Sequence, residues 1–322
     1  MQIISLLTRL FYSIIYKHYK AKLIFNDPKK YLIDSSNKNI SKPIFLLGTA
    51  SGGLSIIRRI ISRHPNIVYC TGDYKYFHYV DEINHYYKKF VPKTFNISNI
   101  VSKKKFPPFN LYAIDKYINK AIIKKKDFYL SSLKYLKLLN AIFKIYSNDP
   151  SKDRIIDKSQ NNSLNIKFLD YTFKGKKPTY ILIVNNPYAV IAKNYINLKK
   201  KSKSKNNLDI SIQHYSNLVK KCIKDLKKSQ NKYIILYFDD FLKNPEKTMR
   251  KIFSFLNLNF ENKFMPNRDN QYLVRDYKWY PIRKQTHRHY LKILSKKDLK
   301  KINNRCNYIF RNLKIKKINQ FT

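Results

Sequence analysis

Short unbroken apolar runs alternate along this chain with stretches of helical spacing. The first run, Pro43-Ile-Phe-Leu-Leu47, ends at Gly48 and predicts a strand over 43–47. Leu54, Ile56, Ile57, Ile60 and Ile61 then recur at helical intervals, predicting a helix over about 54–64 that His64-Pro65 stops. Ile67-Val-Tyr-Cys70 and Arg154-Ile-Ile-Asp157 read as further short strands, and Thr179–Val184 and Tyr233–Phe238 as buried ones. Helical patterns over 187–198 and 244–256 follow the last two. Strands of this kind, unbroken in their apolar character and separated by helices, predict an α/β fold of three layers, with a central parallel sheet of about five strands and helices on both faces.

The rest of the chain is less regular. Residues 80–150 read as a mostly helical insertion with Tyr and Lys interleaved, broken at Pro107-Pro108. Residues 199–207 form a basic loop, and the Lys-rich stretch from about 296 reads as a surface helix. Residues 42–322 are expected to make a single domain, preceded by a polar linker over 21–41. In residues 1–20, Ile3, Ile4, Leu7, Leu10, Phe11, Ile14 and Ile15 share one helical face. That segment is too short to span a bilayer comfortably and has no small-residue cleavage site after it. It is expected either to pack on the domain or to lie on an anionic membrane surface.

The sharpest local signal is the turn between the first strand and the first helix. Strand, glycine-containing turn and helix N-terminus are the order a phosphate-binding loop requires, because backbone N–H groups and the helix dipole both face the anion there. Measured against Gly-x-x-x-x-Gly-Lys-(Ser/Thr), Gly48, Gly53 and Ser55 fit, and Leu54 stands where the lysine belongs. The missing lysine argues against an ordinary nucleoside triphosphatase. Ligands of a parallel sheet bind beyond the strands' carboxyl ends. Gly48, Asn185 and Asp239 all fall there.

Charge adds a second theme. The 322 residues carry a net charge of +46, with 66 Lys and Arg against 20 Asp and Glu, and a hydrophobic fraction of 43%, enough for a core. Lysine outnumbers arginine 54 to 12. Together with the abundant Ile, Asn and Tyr, this is what an AT-rich coding bias produces, and it also favours polyanionic partners. No helix-turn-helix, zinc-finger or aromatic RNA-binding signature is present, so nucleic acid is not the expected partner. Cys70, Cys222 and Cys306 lie far apart without metal-like spacing, which favours a reducing, cytoplasmic setting and no metal.

Four fragments in order resemble the sulfotransferase family, over roughly residues 42–312. Gly48-Thr-Ala-Ser51-Gly52-Gly53-Leu54-Ser55-Ile56 is similar to the family's 5′-phosphosulfate loop, Gly-x-x-(Arg/Lys)-Ser-Gly-Thr-(Thr/Ser)-Leu. Asp157-Lys158-Ser159 resembles its Glu-Lys-(Ser/Thr) segment. Asn185-Asn186-Pro187, running on to Lys193-Asn194-Tyr195, resembles its 3′-phosphate motif, and Tyr237-Phe-Asp-Asp240 with Asn244-Pro245 its Tyr-Glu-Asp segment. The resemblance implies a P-loop-like fold and 3′-phosphoadenosine 5′-phosphosulfate as co-substrate. It places Ser51, Gly52, Gly53, Leu54, Ser55, Asn185 and Lys193 at the cofactor. The departures are specific: Ser51 replaces the basic residue of the loop, Leu54 the threonine, Asn185 the 3′-phosphate arginine, and Lys193 the serine. Backbone donors survive these changes. Arg58 and Arg59, one turn into the helix, and Lys158 are candidates to restore the lost cation.

In-line sulfuryl transfer needs an acceptor hydroxyl, a base for its proton and cations for the departing phosphate. In this family the base lies soon after the first strand–helix unit. Glu82 is the first candidate here, with Asp81 and His78 behind it, and Lys75 is a further candidate for the loop cation. The stretch Arg283-Lys284 to Arg288-His289 is similar in position to the family's late cofactor-closing loop and offers Arg288, then Lys284, to the 3′-phosphate. The expected reaction is sulfuryl transfer to a carbohydrate or lipid-linked glycan. A binding or scaffolding protein that kept the fold without the chemistry is the alternative.

Overall fold

The computed structural model describes residues 40–68, 111–147, 149, 151, 153–200, 206–267, 273–274, 277–278, 282, 290, 292–313 and 315–318. Residues 1–20, Lys75, His78, Asp81, Glu82, Lys284 and Arg288 lie outside them. The described elements run β1 (Ile44–Leu47), α1 (Leu54–Ile61), β2 (Ile67–Val68), α2 (Phe128–Tyr146), β3 (Arg154–Asp157), α3 (Ile166–Thr172), β4 (Thr179–Val184), α4 (Pro187–Lys199), α5 (Asn207–Leu226), β5 (Tyr233–Tyr237), α6 (Phe238–Lys243), α7 (Pro245–Phe255), then, beyond a short hairpin at 273–278, α8 (Lys296–Arg305) and α9 (Asn307–Leu313).

The sheet is all parallel, in the order β2-β3-β1-β4-β5, with β1 at its centre. Side chains alternate across it, as the two-residue period of a strand requires. Phe45 and Leu47 of β1, with Tyr180, Leu182 and Val184 of β4, face the larger core beneath α2 to α5, α8 and α9. Ile44, Leu46, Ile181 and Ile183 face the second core, beneath α1, α6 and α7. All four β1 residues are buried, which is why this stretch reads as a continuous apolar run rather than an alternating one.

Two differences from the expected boundaries have local causes. Helix α1 ends at Ile61, because the N–H groups of Arg63 and His64 bond three residues back, to Ile60 and Ile61, and wind the chain into a tighter turn before Pro65. The helix expected over 244–256 is α7, and a short helix not expected, α6, precedes it directly after β5; Pro245 keeps Asn244 out of the helical region (φ −137°, ψ 75°) and separates the two. Ile40, at the end of the stretch read as a linker, is buried in the larger core.

At the amino ends of the strands one buried arginine joins three elements. Arg154 Nε donates to the Lys42 carbonyl at 2.8 Å, Nη1 to the Leu256 carbonyl at 2.6 Å and Nη2 to Thr179 Oγ1 at 3.4 Å. Burial pushes its pKa down to about 10, still charged at neutral pH. Arg154→Leu leaves two carbonyls without their charged donor and is expected to cost on the order of 3 kcal/mol. A drop in the urea midpoint with unchanged slope would show it.

His214, on α5, is fully buried and stands edge-on to Tyr112 at 5.3 Å. Its Nδ1 accepts the Ala113 N–H at 3.1 Å, so the proton of the neutral ring sits on Nε2. Burial drives its pKa down to about 3. The unfolded chain binds this proton near pH 6.5 and the folded chain does not. The stability contributed by the neutral ring is therefore complete above pH 6.5 and lost progressively as pH falls toward 3, on the order of 3 kcal/mol by pH 4. His214→Gln, which keeps an acceptor for Ala113, is expected to flatten that part of the pH–stability curve measured by urea titration.

Candidate functional site

The turn from β1 into α1 is shaped by backbone conformation. Ser51 and Gly53 have positive φ, at 62° and 95°, and the Gly52 N–H closes the turn on the Thr49 carbonyl at 3.0 Å. Gly53 could be no other residue: a β-carbon there would lie 2.3–2.9 Å from the ring of Phe238, which itself packs on Phe241. No side chain caps α1. Its first N–H groups therefore have no capping side chain at the mouth of the loop, where an anion is favoured.

The loop is held from below by the turn after β3. Ser163 bridges Gly48, accepting its N–H at 2.8 Å and donating to its carbonyl at 3.3 Å. Asp157, at the carboxyl end of β3 and 1% exposed, accepts four bonds: from Tyr135 Oη at 2.5 Å, the Ser159 N–H at 2.8 Å, Ser159 Oγ at 2.7 Å and Asn162 Nδ2 at 2.8 Å. Burial first, and the Asp157 charge beside it second, hold the Tyr135 hydroxyl well above the usual tyrosine range, so it remains a donor. This network fixes the next residue. Lys158 is buried to 5% exposure and its Nζ donates to Ser55 Oγ at 3.1 Å. A cation thus stands in the first turn of α1, beside the loop whose own basic position is Ser51.

The third wall is α4. Asn186 caps it, accepting the N–H groups of Tyr188 and Ala189, with Pro187 as the first helical residue. Asn185 at the end of β4 is 8% exposed; its Oδ1 accepts the Asn186 N–H at 2.7 Å and its carbonyl accepts Tyr215 Oη at 2.9 Å. Two turns on, the α4 side chain that meets the loop is Asn194. It is 1% exposed, its Oδ1 accepts Ser51 Oγ at 3.2 Å, and its buried Nδ2 has no hydrogen-bond partner among the described residues. A buried amide donor beside a helix N-terminus without a capping side chain fits a phosphate oxygen.

The structure thus brings Ser51, Gly52, Gly53 and Ser55 together with Lys158. The Leu54 side chain is 4% exposed and points into the second core, so only its backbone faces the loop. Lys193 is exposed on α4, and Arg58 and Arg59 are buried within α1. Tyr290, two residues past Arg288 in sequence, stacks on Tyr188 in the first turn of α4 with ring centroids 5.5 Å apart. Asn194, Asp157, Ser163 and Phe238 escaped sequence reasoning as site-building residues. Only Asn194 and Asp157 had a signal, a polar residue beside Lys193 within an apolar helix and a charged residue ending an apolar run. Among the described residues no group of three His, Cys, Asp or Glu could hold a metal ion.

The profile of the Sulfotransferase family matches residues 43–262. Similar solved structures include sulfotransferase STF9 of Mycobacterium avium (TM-score 0.56, 10% identity, 92% of this chain and 82% of that one). The sulfotransferase domain of the curacin biosynthetic pathway superposes at TM-score 0.53 and 12% identity over 87% of this chain and 99% of that one. Sulfotransferase STF1 of Mycobacterium tuberculosis does so at 0.52 and 11%, over 89% and 86%. No match to the chain is found among the curated proteins.

Proposed function

This chain belongs to the sulfotransferase family, and we propose that it transfers a sulfuryl group from 3′-phosphoadenosine 5′-phosphosulfate to a hydroxyl of a carbohydrate or glycolipid. The observation that carries the reading is Lys158 Nζ, 3.1 Å from Ser55 Oγ and buried at the mouth of the loop. It supplies the cation that Ser51 and Leu54 do not.

When bound, the donor supplies the sulfuryl group. The acceptor oxygen bonds to sulfur, the bond from sulfur to the 5′-phosphate oxygen breaks, the acceptor proton passes to a base, and adenosine 3′,5′-bisphosphate leaves. The chain's part is positional and electrostatic. N–H groups from Gly53 to Ser55 and the Asn194 amide would hold the 5′-phosphate over the turn that Gly52 closes, Lys158 would balance the charge left on it, and Asn185 and Lys193 would lie toward the 3′-phosphate. Glu82 is the base proposed for the acceptor, with Lys75 and Arg288 as further cations. The +46 charge suits an acidic acceptor.

Sulfur-labelled donor incubated with a panel of oligosaccharides, glycolipids and simple alcohols tests this. Label on a hydroxyl of a sugar-bearing acceptor is expected. Tight nucleotide binding without transfer to any acceptor would instead favour a binding protein that kept the fold, a reading supported by Asn185, whose Oδ1 is already engaged by the Asn186 N–H.

A further inference from the structure

Helices α2 and α3 expose a surface unlike the rest of the described molecule. Tyr129 is 64% exposed, Leu130 65%, Leu133 39% and Tyr171 46%; with Tyr233 these are the exposed large hydrophobics among the described residues. They are contiguous. Tyr129, Leu130 and Leu133 share the outward face of the first turns of α2, and Phe128 at its start meets Tyr171 of α3 with ring centroids 5.4 Å apart. Lysines surround them: Lys124, Lys125 and Lys126 lead into α2, Lys167 lies one turn before Tyr171 on α3, and Lys174 lies in the turn just past α3, all five exposed. The acids nearby are Asp127, exposed, and Asp170, which accepts bonds from Tyr180, Ser229 and Asn231.

Exposed leucines and tyrosines ringed by lysines suit a lipid interface: the apolar tips enter the acyl boundary, the tyrosine hydroxyls stay at the headgroups and the lysines meet anionic lipid.

We infer that the Tyr129–Leu130–Leu133–Tyr171 face, with its ring of lysines, is a docking surface for an anionic membrane.

The full chain would be sedimented with vesicles of phosphatidylcholine alone and of phosphatidylcholine with about 30% phosphatidylserine. Binding to the second is expected, reduced about tenfold or more in Leu130→Ser/Leu133→Ser and made insensitive to salt in Lys124→Gln/Lys125→Gln/Lys126→Gln. These surface changes are expected to leave the melting temperature unchanged, which separates lost docking from lost folding. Leu130→Trp gives a second readout: its emission is expected to shift to the blue and be quenched by brominated lipid only with anionic vesicles. No binding by the unaltered chain overturns the inference. So does equal binding by the double serine variant, which would place attachment elsewhere, or a tryptophan already shifted without lipid, which would mean that another part of the chain covers the face.

Discussion

Lys158→Ala is expected to lower sulfuryl-transfer turnover by about 10²–10³-fold, the range seen when one preorganised donor to developing charge is removed. The argument rests on position. Lys158 is held at 5% exposure by the Asp157 network, so its ammonium is poorly screened by water, and it reaches the first turn of α1, where the proposed phosphate would sit. Binding of adenosine 3′,5′-bisphosphate should weaken less, by about tenfold, because backbone donors still hold the phosphate while the charge formed on bond cleavage loses its partner. Lys158→Arg is not expected to rescue, since the larger planar fork does not fit a site made for a compact ammonium. Single-turnover rates with labelled donor, beside calorimetric affinities, separate the two effects. An unchanged rate in Lys158→Ala would remove the lysine from the account.

Gly53→Ala is expected to reduce bisphosphate binding by at least 100-fold and to lower stability by about 2–4 kcal/mol, combining left-handed strain with overpacking. The new methyl group would meet the Phe238 ring at 2.3–2.9 Å, and that ring, 5% exposed and packed on Phe241, has little room to retreat. Gly175 provides the control. It also has positive φ, 78°, but a β-carbon there has nothing within 4 Å, so Gly175→Ala should cost only the conformational strain, about 1 kcal/mol, and leave binding intact. Phe238→Leu combined with Gly53→Ala should recover part of the loss if the clash matters. Thermal melts and calorimetry on the four proteins decide it, and wild-type binding by Gly53→Ala would contradict the loop geometry.

The inner strands were legible because they are buried on both faces; β5, expected to be buried, is the sheet's edge strand, where Tyr233 is exposed and only Leu236 is buried. Ile44–Leu47 and Thr179–Val184 must be apolar throughout, and no helix pattern competes with runs that short. The loop was legible because glycine spacing reports backbone shape. Its side-chain chemistry was not, because the residues that complete it come from distant positions: Lys158 lies 103 residues from Ser55 and Asn194 lies 143 from Ser51. Local pattern carries no information on such pairings. The three-residue stretch around Lys158 resembled a family segment, yet nothing in its spacing said that burial of Asp157 would aim the lysine at α1. The helix over 244–256 was legible to within a residue at each end, with Pro245 marking its first turn, whereas the six-residue α6 before it was too short to leave a period of its own.

The central claim is that the β1–α1 loop, with Lys158 and Asn194, forms a working site for a nucleotide bearing two phosphates. Calorimetry with adenosine 3′,5′-bisphosphate against adenosine 5′-monophosphate, at near-physiological salt, tests it most directly. The account predicts saturable binding of the bisphosphate, weakened by Lys158→Ala and by loss of the 3′-phosphate. Failure of the bisphosphate to bind at millimolar concentration would contradict it.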